Sequence, residues 1–105
     1  MVEQITAGEL KKLNQDSNNT ILIVDIRNAD VFAEEHIPGA INIDVYDDIW
    51  MGNVEDVEEK LSTLPKDKKI IAVCNTGRTT QLACQVLGQL GYKSASLKDG
   101  MEGWG

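Results

Sequence analysis

Cys74, Asn75, Thr76, Gly77, Arg78, Thr79 and Thr80 lie in one run between an apolar, β-branched segment, Lys69-Ile70-Ile71-Ala72-Val73, and an amphipathic stretch. From Thr79 onward, apolar residues recur at Leu82, Ala83, Val86, Leu87 and Leu90 with helical spacing. This order predicts strand, loop, helix, with a cysteine where the strand ends. Loop N–H groups and the positive end of the helix would converge near its sulfur, stabilising a thiolate or an anion attached to it. The chemistry suggested is that of a nucleophilic cysteine. Local context alone fits a buried structural cysteine equally well, so the rest of the chain has to decide.

The elements that would position this loop follow in order. Thr6-Ala7-Gly8-Glu9 has the form of a capping box, with Ile5 and Leu10 placed as a hydrophobic staple and Leu10 and Leu13 facing inward on a short helix. Asn14 to Thr20 is polar and reads as a loop. Ile21-Leu22-Ile23-Val24-Asp25-Ile26 is a nearly continuous apolar run, expected for a central strand covered on both faces. Asn28 is placed to cap a helix reaching Glu35, and Pro38-Gly39 turns the chain into the brief strand Ala40-Ile41-Asn42-Ile43. Asp44 to Met51 reads as loop. Val54, Val57, Leu61 and Leu64 give the next helix, and Pro65 to Lys68 closes it as a turn. Gly91 stands where a left-handed helix stop belongs, Ser94 to Leu97 forms one more short strand, and Asp99-Gly100 turns into Met101 to Trp104. Strands alternate with helices, which predicts an α/β fold with a parallel sheet and helices on both faces. Ligands of such sheets bind beyond the carboxyl ends of strands, where Cys74 lies.

The 105 residues fit one domain, 1–105, with a modest core. Acidic side chains outnumber basic ones 17 to 10, for a net charge of −7, which repels nucleic acid and anionic membranes and points to small molecules or proteins as partners. The sequence shows no apolar stretch of spanning length and no signal-peptide pattern at Met1 to Ile5, giving a cytoplasmic expectation. Two cysteines, Cys74 and Cys84, are too few for a disulfide framework, and no Cys-x-x-Cys or His cluster suggests a metal.

Other chemistry-bearing residues have plainer roles. Cys84 falls on the core face of the helix beside Ala83 and Leu87, about five residues in, a rise of ~7 to 8 Å that puts a disulfide to Cys74 out of easy reach. His36 precedes Ile37-Pro38-Gly39 and is better placed to fix a turn than to act as a base. Asp25 and Arg27 read as an ion pair bracing the sheet end. Glu55, Asp56, Glu58 and Glu59 form a solvated helix face. Tyr46, Ile49, Trp50 and Met51 either line the mouth of the site or cap the core.

Four motifs in sequence, Asp25-Ile26-Arg27, His36-Ile37-Pro38-Gly39-Ala40-Ile41-Asn42-Ile43, the cysteine loop and Gly100-Met101-Glu102-Gly103-Trp104, together resemble the single-domain rhodaneses, the sulfurtransferase family. The resemblance spans Ile5 to Trp104 and favours the reactive reading of Cys74. It implies a five-stranded parallel sheet flanked by helices and a Cys74 that carries sulfane sulfur as a persulfide, cradled by Asn75, Thr76, Gly77, Arg78 and Thr79, with Asp25, Arg27 and Thr80 in support. Donors would be thiosulfate, a polysulfide or a protein persulfide, and acceptors cyanide or a thiol, including thioredoxin-like or other sulfur-relay proteins. Such a double displacement needs no metal or organic cofactor. With Arg78 as the loop's only cation, thiosulfate would be held weakly. Two alternatives remain: a noncatalytic rhodanese-like interaction or regulatory module, and a cysteine phosphatase or arsenate reductase. The latter would need Arg six residues after the cysteine, where this chain has Thr80.

Overall fold

The computed structural model describes residues 2–15 and 20–104. Five strands, β1 (Gln4–Ile5), β2 (Ile21–Asp25), β3 (Ile41–Asn42), β4 (Lys69–Val73) and β5 (Ser94–Leu97), form a single parallel sheet in the order β1-β5-β4-β2-β3. β2 pairs with β4 along its whole length, Ile21 to Asp25 against Lys69 to Val73, so the apolar run is an interior strand as its composition predicts. Around the sheet lie α1 (Ala7–Gln15), α2 (Ala29–Glu34), α3 (Tyr46–Trp50), α4 (Val54–Leu61), α5 (Arg78–Gln89) and α6 (Gly100–Trp104).

Alternation along the strands divides the core into two layers. Val24 and Ile70 face Val57 and Leu61 of α4 and Ala83 and Leu87 of α5. Ile23, Ile71 and Val73 face Leu10 of α1, Ile37, and Met101 and Trp104 of α6. Helices therefore cover both faces. No helix among the described residues is long and apolar enough to cross a membrane.

Several local expectations are met atom by atom. The Thr6 N–H donates to Glu9 Oε1 at 3.0 Å and the Glu9 N–H returns to Thr6 Oγ1 at 3.2 Å, closing the capping box. These bonds to Thr6 hold the Glu9 carboxyl below its ordinary range. Beyond Leu90 the Tyr92 N–H closes on the Leu87 carbonyl at 2.9 Å, a satisfied helix end packed into the core through both side chains.

Other expectations fail for tertiary reasons. Leu13 is 41% exposed rather than inward, because the α1 contact with the sheet runs through Leu10. Helix α1 extends through Asn14 and Gln15, both expected in the loop, while 16–19 lie outside the described residues. Asn28 holds the cap position of α2 without capping it; Asp44 takes the Ala29 N–H at 3.1 Å, and Asn28 Nδ2 donates to Asp44 and Asp47. Tyr46 to Trp50, expected within a loop, forms α3.

Candidate active site

β4 ends at Val73 and α5 starts at Arg78, so Cys74 to Gly77 is the connection between the sheet's central strand and its longest helix. Gly77 makes the turn possible. Its φ of +91° is left-handed, and a Cβ there would meet the Asp99 nitrogen and the Leu97 carbonyl oxygen, each at 3.1 Å. In this conformation the Gly77 N–H donates to Cys74 Sγ at 3.1 Å. Of the N–H groups from Asn75 to Thr79 expected around the sulfur, this one makes the contact.

The loop is held from below by α6. The Met101 and Glu102 N–H groups donate to the Cys74 and Asn75 carbonyls at 2.8 and 3.0 Å, placing the positive end of α6 under the loop's carbonyls. Gly100 permits that approach: a Cβ on it would lie 2.3 Å from the Cys74 carbonyl oxygen. The closing Gly-Met-x-x-Trp segment is thus a brace for the cysteine loop, a role its sequence alone does not disclose. Asp99, with φ +62°, shares the tight β5–α6 turn, in a left-handed conformation that Asp tolerates better than most residues.

Cys74 is 1% exposed and forms the floor of a cavity of about 440 Å³. Asn75, Thr76 and Thr79 line it from the loop side, Tyr46 from α3, and Met101 and Glu102 from α6. The lining includes one acidic side chain, Glu102, and no basic one. Arg78 is exposed and outside the lining, because the chain turns at Gly77 to aim its backbone, not this side chain, at the sulfur. Thr79 lines the cavity and accepts a hydrogen bond from the Trp50 indole N–H at 3.0 Å, so α3 is tied to the loop. Of the undecided aromatic segment, Tyr46 lines the site, Trp50 tethers it, Ile49 packs on the core and Met51 is exposed.

Thr80 lies on the buried side of the sulfur. Its Oγ1 is 3.6 Å from Cys74 Sγ and 2.6 Å from the hydroxyl of Ser96 on β5. Sequence spacing did not single out Ser96, because only the parallel pairing of β5 with β4, Ser96 beside Ala72, brings it next to the loop.

Asp25 and Arg27 sit apart from the cavity. Arg27 bonds both Asp25 carboxylate oxygens and also the Glu35 carbonyl at 2.7 Å, while Asn42 Nδ2 donates to the Asp25 and Arg27 carbonyls. The pair braces the junction of β2, α2 and β3. His36 stacks on Phe32, centroids 3.9 Å apart, with Nδ1 2.8 Å from the Phe32 carbonyl oxygen, and it too lies outside the lining. Both cysteines are free, and no group of three or more potential metal ligands occurs among the described residues.

A parallel sheet with a cysteine loop at the carboxyl end of its central strand, braced by a terminal glycine-led helix, defines a rhodanese-type domain. The chain belongs to that family: residues 6–105 match the Rhodanese-like domain. It is 30% identical over 104 residues to the thiosulfate sulfurtransferase GlpE of Coxiella burnetii, covering 98% of this chain and 84% of that one. It is 28% identical over 105 residues to a sulfurtransferase of Allochromatium vinosum, covering 99% and 89%. The crystal structure of SSP1007 from Staphylococcus saprophyticus superposes with a TM-score of 0.80 at 27% identity, over 99% of this chain and 94% of that chain.

Proposed function

We propose that the protein is a sulfurtransferase in which Cys74 carries the sulfur. The observation that carries this reading is Cys74 lining a cavity, its Sγ receiving the Gly77 N–H, in a chain of the rhodanese family. The Cys74 thiolate attacks the outer sulfur of a donor R–S–SH; a sulfur–sulfur bond forms at Cys74, the donor's own breaks, and R–S⁻ leaves. An acceptor nucleophile, cyanide or a thiolate, then attacks the outer sulfur of the persulfide, and the bond's electron pair returns to Cys74. The loop N–H groups of Asn75, Thr76, Gly77, Arg78 and Thr79 form the cradle, with Asp25, Arg27 and Thr80 in support. Because the cavity lining has an acidic side chain and no cation, a persulfide donor R–S–SH of low charge, such as a protein persulfide, suits it better than the thiosulfate dianion, with polysulfide the remaining small donor. Sulfur-relay proteins are the corresponding partners.

A phosphatase reading lacks its clamp. The position six residues after Cys74 holds Thr80, fully buried and bonded to Ser96, where an exposed Arg fork would have to grip phosphate. Cyanide-dependent thiocyanate formation from polysulfide, absent in Cys74→Ser, is the expected result; hydrolysis of an aryl phosphate that depends on Cys74, with no sulfur transfer, would reverse the assignment.

A further inference from the structure

Three side chains form an unbroken buried line on the inner side of the site. Cys74, Thr80 and Ser96 are 1%, 0% and 1% exposed, with Sγ to Oγ1 3.6 Å, within range for a sulfur acceptor, and Oγ1 to Oγ 2.6 Å. They come from three elements, the loop after β4, the first turn of α5 and the middle of β5. The two hydroxyls are partners of each other, and no buried side-chain nitrogen or oxygen among the described residues lacks a partner.

We propose that Thr80 and Ser96 form a two-hydroxyl relay that stabilises negative charge on the Cys74 sulfur, Thr80 by donating to it and Ser96 by fixing the direction of the Thr80 hydroxyl. A thiolate has no proton, so it can only accept; Thr80 must then donate to Sγ, which leaves its oxygen to accept from Ser96. One hydroxyl alone could rotate away. The short contact to Ser96 opposes that rotation.

The relay acts unequally on the two half-reactions. In the persulfide, Sγ holds two covalent bonds and is a poor acceptor, with the charge on the outer sulfur. When the acceptor takes that sulfur, the electron pair returns to Sγ and the Thr80 bond strengthens as the charge develops. Stabilisation that grows along the reaction coordinate accelerates discharge. Loading starts from a thiolate that already has the bond, so the relay does not accelerate attack once Cys74 is ionised. Ser96 is a positioning residue, since it reaches the sulfur only through Thr80. Other titratable groups around Cys74 are Tyr46 of α3 and Glu102 of α6 in the cavity and Cys84 further along α5, with Asp25 at the end of β2 beside Val73, outside the cavity and paired with Arg27.

The effect on turnover rests on the sulfurtransferase reading, but the effect on ionisation does not, so two measurements separate them. The first is the pH dependence of Cys74 alkylation by iodoacetamide, which needs no sulfur chemistry. The second is single-turnover discharge of polysulfide-loaded protein to cyanide. In Thr80→Val the alkylation midpoint should rise by about one pH unit and discharge should slow roughly 10-fold, the loss expected for one hydrogen bond to a charged group, while loading above the midpoint is not slowed. Thr80→Ser should restore both within about 2-fold, and Ser96→Ala should give a smaller shift of the same sign, about 3-fold in discharge. The double variant Thr80→Val/Ser96→Ala should be no worse than Thr80→Val. An unchanged midpoint in folded Thr80→Val overturns the proposal, as does a Ser96→Ala effect that persists in the double variant. Should Thr80→Val fail to fold, Ser96→Ala decides alone: a wild-type midpoint refutes the relay. A shifted midpoint in a protein that takes no sulfur would instead refute the transfer reading and leave the relay standing.

Discussion

Cys74 and Cys84 are both buried, 1% and 5% exposed, yet their surroundings are chemically opposite. Cys74 ends a strand and receives an N–H from Gly77, with the Thr80 hydroxyl behind it and a cavity in front. Cys84 lies in the body of α5 at the edge of a separate groove beside Gln85 and Ser94, where burial pushes its thiol up and the neighbouring Ser94 only partly offsets the shift. Solvent exclusion by itself favours the protonated thiol, whereas an N–H aimed at the sulfur favours the anion. Placement at a strand end, rather than degree of burial, separates the two.

That contrast can be broken most severely at Cys74 itself: Cys74→Ser should lose all sulfur transfer with little change in melting temperature. Next comes the brace. Gly100→Ala forces a Cβ to within 2.3 Å of the Cys74 carbonyl at a φ of +54°, so we expect a stability loss of about 2 to 4 kcal/mol by urea titration, with turnover falling in the folded fraction as well. Trp50→Phe removes the indole bond to Thr79 and should lower turnover by roughly 5-fold, the worth of about one hydrogen bond, with Tyr46 and the cavity otherwise retained. Arg78→Ala should change the KM for thiosulfate by no more than about 2-fold, since an exposed charge outside the cavity lining is screened.

The smallest effect belongs to Cys84. Cys84→Ala should leave turnover nearly intact, and the wild-type residue should resist alkylation until strongly alkaline pH. Its raised thiol has a consequence for stability. From about pH 9 the unfolded chain releases the Cys84 proton while the folded chain keeps it, so stability falls as pH rises, and Cys84→Ala should flatten that fall in a pH series of urea titrations.

Much of this frame is legible in the sequence because the signals are local. The Thr6–Glu9 box, the runs Ile21 to Asp25 and Lys69 to Val73, and the helical spacing after Thr79 all reflect contacts within a few residues or a single period. The five residues of α3 are too short to show a period, and their acids and aromatics resemble loop composition. Asn28 has the right residue type at the right place, but Asp44, fifteen residues past Ala29, takes the cap. For the site, Cys74 and its loop stand out by position and Tyr46 is left open between site mouth and core cap, while Ser96, Met101 and Glu102 do not stand out as neighbours of the sulfur, because strand pairing and the docking of α6 bring them there. Arg78 shows the converse: its charge makes it stand out in the sequence as the loop's cation, and the structure leaves that side chain in solvent, outside the cavity lining.

Sulfur carriage by Cys74, and not by Cys84, is what separates the two thiols. Intact mass measured after incubation with polysulfide tests it most directly. The expected result is a gain of one sulfur atom in the wild type and in Cys84→Ala, none in Cys74→Ser, and reversal by cyanide or dithiothreitol. A sulfur adduct that survives in Cys74→Ser, or one lost in Cys84→Ala, would contradict it.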